Sequence, residues 1–195
     1  MKPSVIYEFD PRKLPDEMLA AIGLISTCSS QTEGVVEAGI SACLDIDFEF
    51  GAAITTHMNA PQRDNVLRAV AEIKIDNLDD LDELDRLLDR INAAFAKRNA
   101  YVHRSWCQHP TNGKVYTVKT SARGRVETDL VAMDLKEIRR DAQFIYQAGM
   151  DLQTFLIERD LFPREPPASR NRFHKSKVER KKRRTAMRAS KPSAG

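Results

Sequence analysis

Long hydrophobic runs are missing from this 195-residue chain. No stretch of ~18 apolar residues occurs, so no transmembrane helix is expected. The opening MKPSVIYEFDPRK has neither an apolar core region nor a small-residue cleavage site, so no signal peptide is expected and the chain reads as cytoplasmic. Cysteine is scarce. Cys28, Cys43 and Cys107 are odd in number and scattered, which fits a reducing compartment better than a disulfide framework. The four histidines are dispersed, and Cys107 with His109 makes a pair rather than a ligand set. No metal and no other cofactor is therefore expected. P-loop, G-x-G-x-x-G, G-x-S-x-G, H-E-x-x-H and C-x-x-C motifs are all absent, and with them the chemistries those spacings support.

Charge, by contrast, is plentiful and unevenly placed. Acidic and basic residues make up 30% of the chain and the formal net charge is only +3. From Pro163 onward, however, twelve Lys/Arg face two acids, giving about +10 and leaving residues 1–162 at about −7. Any attraction to a polyanion must come mainly from this tail, which includes the run Lys181 to Arg184. The tail holds few large apolar groups, so residues 163–195 are expected to be disordered. A plainer reading of the same run is a solvated segment that aids solubility.

Hydrophobic spacing divides the rest into helices and one small sheet. Residues 1–14 read as an irregular arm. Residues 15–44 carry a broken stripe of Met18, Ile22, Leu24, Ile25, Val35, Val36, Ile40 and Leu44, interrupted by Gly23, Gly34 and Gly39. Each glycine costs up to ~1 kcal/mol in a helix unless close packing or a kink requires it. A short helix is predicted over 50–58, and Asn59 with Pro61 starts another that runs to about Ile73. The clearest pattern follows, with Leu81, Leu84, Leu87, Leu88, Ile91, Phe95 and Val102 on one stripe and Asp76 or Asn77 as its cap. Acids crowd its first half, where the helix dipole favours them. Asn112-Gly113 and Ala122-Arg123-Gly124 are turn signals, so a meander is predicted over about 104–132. Asp134 and Glu137 spell a capping box before a last helix that ends near Leu161.

Arg98, Asn99 and His103 stand at the end of the leucine-patterned helix. An arginine is a permanent cation suited to phosphate, and a histidine exchanges a proton near neutral pH. Together they suit gripping or cutting a phosphodiester. A helical bundle whose penultimate long helix ends in R-N-x-x-x-H resembles the HEPN superfamily, over about residues 15–161. The nearby Trp106 and the hairpin before the last helix strengthen the likeness. The resemblance implies a mainly α fold: an antiparallel helical bundle in residues 15–162, with the small β meander inserted before the last long helix. It also implies a homodimer and a metal-independent endoribonuclease acting on RNA, with Arg98, Asn99 and His103 catalytic. Tyr101 and Trp106, close to the motif, are the candidates for contacting the substrate, with packing as the alternative role for each. Other members of the superfamily are non-catalytic modules that bind a nucleotide or a protein partner. The sequence departs from the superfamily's toxin members in having Ser105, not Tyr, two residues after the histidine.

Geometry narrows this expectation. Asn99 and His103 share a helix face, but Arg98 and His103 are five residues apart and ~140° around a regular helix. Within one regular helix they diverge, so a loosened helix end or a site shared across a dimer is the expected remedy. The alternatives are structural. Arg98 would pair with an acid such as Glu33, Asn99 and His103 would cap the helix end, and Trp106 would pack.

Overall fold

The apolar spacings fold into helices. A computed structural model describes residues 6–122, 124–162, 182, 185 and 186. Among them are α1 (Asp16–Cys43), α2 (Phe48–Thr55), α3 (Ala60–Lys74), α4 (Leu78–Val102) and α5 (Leu135–Glu158). Three strands, β1 (Ser105–Gln108), β2 (Val115–Ala122) and β3 (Val126–Ala132), lie between α4 and α5. The chain divides into two units, Met1–Arg164 and Glu165–Gly195. In the second, Lys182, Thr185 and Ala186 are helical and exposed. The expectation of disorder in the tail otherwise lies outside the described residues.

Caps set where the helices begin. The Asn59 side chain accepts from Gln62 N (3.0 Å) and Gln62 Oε1 accepts from Asn59 N (2.8 Å), a reciprocal box that opens α3. Asn77 rather than Asp76 caps α4 by accepting from Asp79 N. The box predicted at Asp134 forms only half: Asp134 accepts from Lys136 N, while Glu137 turns to Arg140. Pro15 lies just outside α1, as its N-cap.

α1 is the central helix, packing against α2, α3, α4 and α5, and α4 also packs on α3 and α5. Ile25 and Ile40 of α1, Leu67 of α3, Leu84 and Leu88 of α4, and Ile138, Ile145, Leu152 and Leu156 of α5 are fully buried. Each contributes ~1.5–3 kcal/mol relative to exposure. Leu24, Leu44 and Ile73 do not join them. Leu24 stands one residue before the buried Ile25, a step of ~100° around the helix that carries it off the core face.

The strands form one antiparallel sheet in the order β1-β2-β3, with Cys107 opposite Tyr116 and Thr117 opposite both Trp106 and Val131. Gly113 takes a φ of 67° in the first turn, the left-handed conformation the Asn-Gly pair signals. The arm is more ordered than expected. Glu8 exchanges two backbone hydrogen bonds with Gln108, Pro11–Lys13 makes a 3-10 turn, and Leu14 is buried.

The glycines of α1 separate into two kinds. A Cβ on Gly23 or Gly34 would meet open space, whereas one on Gly39 would press on Leu156 and Leu67. A close helix crossing uses a glycine of α5. A Cβ on Gly149 would lie 2.5 Å from Thr32 Oγ1 and 3.2 Å from Thr32 Cα. Thr32 Oγ1 sits within hydrogen-bond distance of Cys28 O (3.0 Å) and Ile145 O (3.2 Å), so it has little room to yield. Gly149→Ala is therefore expected to lose ~1–3 kcal/mol by overpacking. Gly34→Ala should gain up to ~1 kcal/mol from helix propensity. Thermal denaturation of the two variants reads the opposite signs directly.

Candidate functional site

The end of α4 is fixed before it presents anything to solvent. Tyr101 is buried and its hydroxyl donates to Asp141 Oδ2 at 2.7 Å. Lys97 Nζ donates to the other oxygen of Asp141 at 2.8 Å. Asp141 belongs to α5 and is itself 7% exposed. One helix turn of α4 is thus bolted to α5 through a single carboxylate. Trp106 of β1 completes the arrangement: its Nε1 donates to Tyr101 O (2.8 Å), satisfying one of the carbonyls a helix end leaves over. Its ring stacks on Tyr101 at 6.4 Å.

On the exposed side of this anchored turn stand Arg98, Asn99 and His103. Arg98 Nη1 donates to Asn99 Oδ1 at 3.0 Å and lies 3.3 Å from His103 Nε2. For that second contact to be a hydrogen bond, Nε2 carries the lone pair and the ring proton resides on Nδ1. The three side chains therefore meet within one chain. The expected divergence of Arg98 and His103 does not occur, for two reasons. His103 is the C-cap, at φ −106° and ψ 0°, with its N–H on Asn99 O (3.2 Å). The arginine stem is also long enough to cross the helix surface to the next face. A second subunit is not needed to bring the two together.

Arg98, like Arg86 of the same helix, has no carboxylate partner among the described residues, whereas several other arginines do. Arg63 pairs with Glu33 and Glu37, Arg68 with Asp64, Asp85 and Asp89, Arg90 with Asp151, and Arg159 with Asp80 and Glu83. Glu33, the acid suggested for Arg98 by the sequence, is thus engaged by Arg63. Arg98 Nε is moreover buried with no hydrogen-bond partner. A donor left in that state costs ~1–3 kcal/mol. Arg104, which follows His103, is half-buried and also has no carboxylate partner among the described residues.

The residues expected near a substrate divide. Arg98, Asn99 and His103 converge at the surface, whereas Tyr101 is inside the core and Trp106 is half-buried against it. Arg104 and Asp141 were not anticipated. Asp141 did leave a signal, an acid within the i, i+3, i+4, i+7 pattern of Ile138, Asp141, Ala142 and Ile145. The acids at the start of α4, which read as a solvated face, are partly structural, since Asp80, Glu83 and Asp85 bind Arg159 and Arg68. The cysteines are poor nucleophiles: all three are buried, and burial pushes the Cys43 thiol up to about 11.

No protein-family model matches this chain, and no curated protein and no solved structure matches it.

Burial pushes the Tyr101 phenol above its ordinary value of 10.0, and the adjacent Asp141 carboxylate pushes it further. A raised value in the folded state means that the stabilisation is fully present below about pH 10 and is lost as pH climbs beyond the usual tyrosine range. Tyr101→Phe is expected to cost ~1–3 kcal/mol at pH 7, the worth of a hydrogen bond to a charged acceptor. The difference from wild type should hold through pH 9 and shrink at more alkaline pH. Urea denaturation of both proteins across that range checks both parts.

Proposed function

We propose that this chain is a HEPN-like, metal-independent endoribonuclease that cleaves RNA by attack of a ribose 2′-OH on the adjacent phosphorus. The observation that carries this reading is Arg98, free of any carboxylate partner among the described residues, in contact with His103. An arginine held for structure is expected to pair with an acid, as Arg63, Arg68, Arg90 and Arg159 do. An arginine held beside an imidazole at the surface suits an anionic ligand. The mainly helical fold with its small sheet before α5 agrees with a HEPN-like antiparallel bundle.

In the proposed reaction a phosphodiester draws Arg98 from His103 Nε2, which frees that lone pair. His103 then takes the proton of the 2′-OH as the new O–P bond forms. Arg98 offsets the charge growing on the phosphoryl oxygens, and Asn99 holds the guanidinium in line through its Oδ1. The bond to the 5′-oxygen breaks, and a protonated His103 from a second copy in a homodimer delivers the proton to the leaving oxygen. The basic tail attracts the RNA backbone without regard to sequence. A second reading, a non-catalytic module that binds a nucleotide or a protein partner in the same place, is favoured by the acidic balance of residues 1–162.

Incubation of RNA with the purified protein in EDTA tests the proposal. His103→Ala is expected to slow cleavage ~10²–10⁴-fold, and Arg98→Ala ~10²–10³-fold. A matching DNA strand should survive, since it lacks the attacking hydroxyl. His103→Ala should melt within ~0.5 kcal/mol of wild type, and Arg98→Ala no lower than wild type, because it removes the buried Nε that has no partner. Equal cleavage by all three proteins overturns the site. An inert wild type that still binds nucleotides through Arg98 supports the second reading.

A further inference from the structure

The face of α4 that carries the Arg98–His103 cluster continues into a cleft. Asn92, Ala96, Asn99 and His103 follow the i, i+4, i+7, i+11 spacing of one helix face. Opposite the first three lies the beginning of α3. The two helices flank an open cleft of about 380 Å³ whose lining includes Pro61, Phe95 and Ala96 as well as Asp64, Asn92 and Asn99. Small-molecule sites start at ~300 Å³ and combine apolar walls with a few placed polar groups. Asn99 belongs to both features, since its Oδ1 receives Arg98 while the residue lines the cleft. From Asn99 to Asn92 the helix advances ~10 Å, comparable to the length of one nucleotide.

The polar groups have spare capacity of a particular kind. Asn92 Nδ2 donates to Asp64 Oδ1 at 3.2 Å, which orients the amide across the cleft. Its Oδ1 and second Nδ2 hydrogen have no protein partner among the described residues, so acceptor and donor are presented side by side. That pair matches the exocyclic amine and ring nitrogen on the Hoogsteen edge of adenine, the contact asparagine makes most readily with a base. Asp64 is already paired to Arg68 at 3.1 Å, so it serves to hold Asn92 rather than to bind a cation. Pro61 and Phe95 supply the apolar surface that the faces of a flat base require.

We propose that this cleft is a nucleobase subsite, with adenine preferred, for the nucleotide whose phosphate sits on Arg98 and His103. It rests on the reading of that cluster as a phosphate site. Titration of the full chain with ribose 5-phosphate, AMP, CMP and UMP, followed by calorimetry, separates the two ideas. AMP is expected to bind at least tenfold more tightly than ribose 5-phosphate and more tightly than CMP or UMP. Asn92→Ala should bring AMP down to the affinity of ribose 5-phosphate, and Ala96→Phe, which fills the cleft, should do the same by a different route. Arg98→Ala should weaken all four ligands. If ribose 5-phosphate binds wild type as tightly as AMP, the base subsite is overturned and the phosphate site stands. If Arg98→Ala leaves AMP unaffected while Asn92→Ala abolishes its advantage, the cleft stands and the phosphate role falls. Binding of none of the four overturns both.

Discussion

Asp141 is an acid on the buried face of α5, and the order of the proposed site depends on its being satisfied there. A lone buried carboxylate is costly, and it is tolerated here because Tyr101 and Lys97 each engage one oxygen. Both partners come from the last turns of α4, so what stabilises the charge also fixes the angle and rotation of that helix end. The helix end then has a defined outer face. Arg98 lies between Lys97 and Asn99 in sequence, and its side chain starts from backbone that the Asp141 contacts hold still.

This division of labour explains how one short segment carries both structure and exposed chemistry. Along Lys97–His103 the buried Tyr101 and the exposed Lys97 both reach α5, and Arg98, Asn99 and His103 reach one another. Trp106 joins the two sets by closing a free carbonyl of the turn. The aromatic pair expected beside a substrate contributes instead to the rigidity of the platform beneath it. Precision in a site comes as much from such support as from the reacting groups.

The helices were legible because their apolar periods are long and their caps explicit; Asn59, Asn77 and Asp134 each mark a helix start within a residue. The turn at Gly113 was legible for the same reason, since few residues adopt its backbone conformation. The convergence of Arg98 with His103 was not. Helical angles place Cα–Cβ directions, and a side chain as long as arginine's escapes them. The identity of ion-pair partners was equally hidden: Glu33 was a reasonable mate for Arg98 until α3 brought Arg63 to it. Packing between α1 and α5 at Thr32 and Gly149 left no mark in the sequence beyond the glycine itself.

The pattern of charge pairing bears on what the exposed cluster is for. The first unit has more acids than bases, so a randomly placed arginine on its surface would readily find a carboxylate. Arg63 and Arg68 between them engage five carboxylates, and Arg159 engages three. Against that surplus, an arginine whose guanidinium touches only an amide and an imidazole is an exception that costs stability through its buried Nε. Acids near Arg98 would compete with any anionic ligand for the same donors. Their absence from its contacts leaves the Arg98 guanidinium open to an anionic ligand, which in the proposed reading is a phosphate.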